Sequence, residues 1–114
     1  MNDEEVLRST QPIADGILVT LEGDIDLSRT PELRHALLEV AGEKPPRLVV
    51  DLTGVDYMDS SGVATLVEAL QHQRRHAGKM VLFGLSAKVK SIFEIARLDM
   101  VFTIVADADA ALTA

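Results

Sequence analysis

Residues 48–70, LVVDLTGVDYMDSSGVATLVEAL, hold two different hydrophobic periods side by side, and the fold follows from their juxtaposition. The run 48–52 is almost continuously apolar, as a strand covered on both faces requires. Val63, Leu66, Val67 and Leu70 then fall at i, i+3, i+4 and i+7, which is an apolar stripe along one side of a helix. The polar segment from Asp51 to Gly62 reads as the loop between them, so the stretch is half of a strand–helix–strand unit.

The same unit recurs on either side. Leu33, Ala36, Leu37 and Val40 form an earlier stripe, and Val89, Ile92, Phe93 and Ala96 a later one. Apolar runs at 80–85 and 100–105 read as further central strands. Ile17, Val19 and Leu21 alternate with Leu18, Thr20 and Glu22 as a partly exposed strand. A shorter strand is expected around residues 6–9, with a turn over 12–16, and a last short helix over about 107–112. Alternating strands and helices imply right-handed crossovers and a parallel sheet, made mixed by the first hairpin. The expected architecture is α/β: one domain spanning 1–114, core about 16–112, with a mostly parallel mixed sheet of four to five strands flanked by helices.

Residues suited to helix ends sit where the stripes begin and stop. Ser28 or Thr30 can cap the first helix, with Pro31 in its opening turn and Gly42 beyond its end. Gly78 is expected to close the second helix in a left-handed conformation, and Ser86 to cap the third.

Composition removes several classes of function. The formal net charge is −7 and there is no tryptophan, so a positive, stacking surface for nucleic acid is not provided. With no cysteine there is neither a disulfide nor a thiolate metal site, which fits a reducing cytosol. The first residues are acidic where a signal peptide is basic, and the longest apolar run is far short of the ~18 residues of a membrane span. Neither export nor membrane insertion is expected, and the expected location is the cytoplasm.

The chemistry concentrates in Asp59-Ser60-Ser61-Gly62, at the mouth of the second helix. Asp and Ser are favoured helix caps, because their oxygens accept the first unpaired N–H groups. A hydroxyl there lies beside the positive end of the helix dipole. A phosphate added to it would bring about −1.5 to −2 charges, which free helix donors would accept without refolding the domain. A plain cap would use the same residues.

From residue 16 to 112 the chain resembles the bacterial anti-sigma factor antagonists of the STAS domain family. The matching segments are 48–52 and 55–62, then 78–82 and 89–93, with the acidic segment Leu21-Glu22-Gly23-Asp24-Ile25-Asp26 upstream. The resemblance implies that Ser60 is phosphorylated. It implies that the partner is an anti-sigma factor which is itself an ATP-dependent serine kinase, and that a serine phosphatase reverses the mark. The unmodified protein would bind the kinase and free its sigma factor. Asp59, Ser61 and Gly62 are expected to support the motif. Ala64, Thr65 and Glu68 on the outward side of the helix, with Asp24 and Asp26, are expected to form the docking face. No enzymatic activity, metal or cofactor is expected, since ATP enters with the partner.

Rival constellations are weaker. Asp24, Asp26, Asp51, Asp56 and Asp59 suggest a magnesium site, but paired acids do not end a first strand and no lysine follows a late one. His72 and His76 have metal-compatible i, i+4 spacing without a third ligand, and read as solvated, as does His35. Ser60 lacks the G-x-S-x-G elbow of a hydrolase, and no G-x-x-x-x-G-K-[ST] loop occurs. The alternative function is a STAS accessory subunit that regulates an anion or lipid transporter without a phosphate switch. The intact motif favours the switch.

Overall fold

The structure is a computed structural model that describes residues 7–114. Strands β1 (Leu7–Ile13), β2 (Gly16–Ile25), β3 (Arg47–Met58), β4 (Lys79–Phe83) and β5 (Thr103–Val105) form one sheet in the order β1-β2-β3-β4-β5. β1 is antiparallel to β2, and every other pair is parallel. Helices α1 (Thr30–Gly42), α2 (Ser60–Arg75) and α3 (Ala87–Ile95) make the crossovers, and α4 (Ala108–Thr113) ends the chain.

This order has a consequence for packing. The crossovers all advance in one direction across the sheet, so right-handed connections place α1, α2 and α3 on the same face. Leu48, Val50 and Leu52 of β3 and Met80 and Leu82 of β4 accordingly join Leu33, Leu37, Leu66, Leu70, Val89 and Phe93 in the main core. The alternate residues Val49, Val81 and Phe83 form a second, smaller core with Ala111 of α4. The central strands are thus buried on both sides, as their continuous hydrophobicity predicts.

Several local expectations change. The first strand begins no later than Leu7 and runs to Ile13, past the Pro12 assigned to the turn; residue 6 lies outside the described residues. The segment read as a long loop after residue 52 is mostly strand. β3 continues to Met58 and stays paired with β2 through two register shifts, with Glu22 opposite Gly54 and Ile25 opposite Met58. β4 stops at Phe83, so this second half of β3 has a neighbour on one side only, and exposed polar residues are compatible with it.

The run 100–105 is strand only from Thr103. Leu98–Met100 is a 3-10 turn, and Phe102 turns inward to meet Phe93 edge-on, with ring centroids 5.5 Å apart. Neither Ser28 nor Thr30 caps α1, whose N-cap residue is Arg29 with no side-chain hydrogen bond to the helix end, and Gly42 is its last residue. Past α2 the left-handed residue is Ala77 rather than Gly78. The Gly78 N–H reaches back to the Gln73 carbonyl, and a Cβ at Gly78 would come within 2.9 Å of the Pro45 carbonyl oxygen. Close approach is what that position requires. Ser86 caps α3, accepting from the Val89 N–H.

Candidate functional site

β2 and β3 end side by side, with Ile25 and Met58 as register partners, and the residues that follow build the site. Asp59 is the N-cap of α2, in extended backbone. Its N–H donates to the Ile25 carbonyl, which ties the end of β3 to the end of β2. Its carboxylate then collects four donors. Oδ1 accepts from the Ser61 N–H at 2.9 Å, the Ser61 hydroxyl at 2.5 Å and the Gly62 N–H at 3.3 Å. Oδ2 accepts from the Leu27 N–H at 3.2 Å, from the other loop. The Ser61 hydroxyl bond is the main cause that holds this carboxyl below the usual aspartate value; burial opposes it, and the backbone donors of Gly62, Ser61 and Leu27 add to the lowering.

The two serines are thereby separated in role. The Ser61 hydroxyl is half-buried and committed to Asp59. Ser60, the first residue of α2, is exposed, and its hydroxyl enters none of the hydrogen bonds found among the described residues. Gly62 is buried; a Cβ there would meet Ile25 Cγ2 and Met58 Cγ, each at 2.7 Å. Its missing side chain lets the helix mouth seat directly on the two strand ends.

The expectation of free donors at this helix mouth needs correction. The N–H groups of Ser61 and Gly62 are already occupied by Asp59, and the Val63 N–H bonds the Asp59 carbonyl. An anion on Ser60 would therefore find the N–H groups of Ser61, Gly62 and Val63 already bonded, and would lie beside the Asp59 carboxylate.

The residues expected on the docking face divide. Ala64 is exposed. Thr65 is buried, with its hydroxyl donating to the Ser61 carbonyl at 2.8 Å, and is not an outward contact. The cause is that α2 packs against α1 as well as the sheet, so its buried side is wider than the apolar stripe. Glu68 is partly exposed and forms a two-pronged ion pair with Arg34 of α1, both contacts at 2.7 Å, which lowers its pKa. Asp24 is exposed, and its carbonyl accepts from the Arg29 guanidinium. Asp26 accepts from the N–H and the hydroxyl of Ser28; that hydroxyl bond is the main cause of its lowered pKa.

Two residues at this end were not singled out by the sequence. Leu27 is 72% exposed and Tyr57 43%. The available signal was an apolar side chain flanked by Asp26 and Ser28 in a capping segment, where no helix or strand period calls for one. The acids at this end do not converge on a metal, and neither do His72 and His76: no group of three His, Cys, Asp or Glu able to hold an ion occurs among the described residues. The His76 Nε2 lies 3.0 Å from the Pro45 carbonyl oxygen. No helix among the described residues is long and apolar enough to cross a membrane.

An α/β domain with a mixed five-stranded sheet, presenting an exposed serine next to a carboxylate-capped helix, defines the class. The chain belongs to the STAS domain family, whose model matches residues 8–111. It is 36% identical over 90 residues to an anti-sigma-B factor antagonist of Listeria monocytogenes, covering 79% of each chain. It is also 31% identical over 75 residues to a Bacillus subtilis chain named as a sulfate transporter, where the match covers 66% of this chain and 14% of that one. Among solved structures, an anti-sigma factor antagonist from Mycobacterium paratuberculosis superposes with a TM-score of 0.85 at 25% identity, over 92% of this chain and 89% of that one.

Proposed function

We propose that this chain is an anti-sigma factor antagonist that switches partners when Ser60 is phosphorylated. The observation that carries the reading is the split between the two hydroxyls: Ser61 is locked on Asp59, while Ser60 is exposed at the helix mouth. Phosphorylation needs an accessible nucleophile on a rigid mount, and the capped first turn of α2 supplies both.

The chain is the substrate and not the enzyme. The partner is an anti-sigma factor serine kinase that brings ATP; a serine phosphatase removes the mark, and the exchange takes place in the cytoplasm. In the transfer, the Ser60 oxygen attacks the γ-phosphorus and the bond to the β-phosphate oxygen breaks. ADP leaves, and the serine proton passes to a base on the kinase. Asp59 is a poor candidate for that base, because its pKa is lowered and both its oxygens already accept hydrogen bonds. The phosphate adds about −1.5 to −2 charges to a rim that already holds Asp24, Asp26 and Asp59, and this new charge ends complementarity to the kinase.

Incubation with ATP and the candidate host kinases, followed by mass spectrometry, tests the site, with modification of Ser60 expected. Ser60→Ala should bind the kinase whether or not ATP is present, and Ser60→Asp should bind weakly. Equal affinities for the two variants would remove the switch.

The match to part of a sulfate transporter supports a second reading, a STAS subunit that docks on a membrane transporter without phosphorylation. Co-purification with a permease, together with unmodified Ser60, would favour it.

A further inference from the structure

Leu27 lies in the β2–α1 loop with 72% of its surface in water. It adds nothing to either core, so packing within the chain does not account for a leucine there. Its backbone is nevertheless held, since the N–H donates to Asp59 Oδ2. The Asp59 N–H bonds the Ile25 carbonyl, so Asp59 grips the chain on both sides of Asp26. The same carboxylate caps α2 through Oδ1. One side chain therefore sets the position of Leu27 relative to Ser60, the residue next to Asp59 in sequence.

A protein that phosphorylates Ser60 must bring its reacting phosphorus within about 3–3.5 Å of the serine oxygen. The Leu27 N–H lies 3.2 Å from the carboxylate of Asp59, the residue that precedes Ser60, so a surface docked on Ser60 has the Leu27 loop as its neighbour. We propose that Leu27 is an apolar contact for the serine kinase that modifies Ser60, and that Asp59 is the positioning residue that holds it there. This rests on the reading of Ser60 as the phosphoacceptor. The matching kinase surface is an apolar recess, flanked by cationic groups that complement Asp24 and Asp26.

The test uses the host kinase that modifies Ser60 of the wild-type chain in the presence of ATP. Leu27→Ala should raise the KM for this chain about tenfold and leave kcat within twofold. An apolar contact remote from the phosphorus acts equally in the bound and transition states. Leu27→Met should restore the wild-type KM, and both variants should melt with the wild type because the side chain is exposed. Asp59→Asn keeps an oxygen for the α2 cap but turns an amide N–H toward the Leu27 N–H, so it should raise KM as well. In the Leu27→Ala background it should add less than twofold, because the contact it positions is already gone. A Leu27→Ala KM within twofold of wild type overturns the contact, and full additivity of the two substitutions overturns the positioning role of Asp59. Failure of every host kinase to modify Ser60 overturns the phosphoacceptor reading itself, which is a separate result.

Discussion

Asp26 and Asp59 occupy equivalent places at the ends of two neighbouring parallel strands. Each directly follows one of the register partners Ile25 and Met58, and each accepts both the N–H and the hydroxyl of the serine two residues on. The two Asp-x-Ser turns project their middle residues, Leu27 and Ser60, into solvent at the same end of the sheet. An apolar residue and a nucleophile thus share one mount, tied across by the Asp59–Leu27 bond.

That mount should loosen in acid. Both carboxyls have lowered pKa values in the folded chain, chiefly because the serine hydroxyls bond the charged form. A lowered folded-state pKa gives stability that is complete above the unfolded value of about 3.9 and is lost as pH falls through the lowered one. Urea midpoints should therefore drop below about pH 4, and Asp59→Asn should show a shallower drop than wild type. Parallel profiles for the two proteins would contradict this.

Phosphate on Ser60 should ionise reluctantly. The second pKa of phosphoserine is about 6. A full negative charge on adjacent Asp59 opposes the second ionisation, whereas the helix end offers only about +0.5, with the Ser61 and Gly62 donors occupied. Phosphorus NMR should place the pKa above that of a phosphoserine peptide, and Asp59→Asn should lower it. Far-ultraviolet circular dichroism should not change on modification, because α2 is capped by Asp59 in either state. A pKa below the peptide value would mean that the dipole prevails.

Gly62→Ala sets two effects against each other. Replacing glycine by alanine within a helix ordinarily gains about 0.5–1 kcal/mol. Here the new Cβ would lie 2.7 Å from atoms of Ile25 and Met58, both fully buried, and overpacking of this kind costs about 1–3 kcal/mol. The clash prevails, and the variant should be less stable than wild type by denaturant titration.

At the opposite end of the sheet, Arg47 joins three elements. Its side chain, 11% exposed, donates to Asp15 in the β1–β2 turn at 3.0 Å and to the Ala111 carbonyl of α4 at 3.1 Å. Arg47→Met should cost about 2 kcal/mol, the scale of hydrogen bonds to charged groups. Hydrogen exchange should quicken first in α4, whose six residues cover the smaller core. Phosphorylation of Ser60 should proceed as in wild type.

The succession of helix and strand periods was enough to determine an α/β chain with a parallel sheet, because those periods are written within ten or so residues. The Asp59-Ser60-Ser61-Gly62 cap was legible for the same reason: a cap bonds to donors two and three residues away. Three features were settled only in the folded chain. β3 runs on to Met58 because β2 lies alongside it through two register shifts. Thr65 is buried because α1 packs against α2. The carboxylate of Asp59 reaches Leu27, 32 residues away, because the two strands end together. Local periods and caps depend on near neighbours in the chain, whereas register, crossover hand and helix packing decide which distant residues meet.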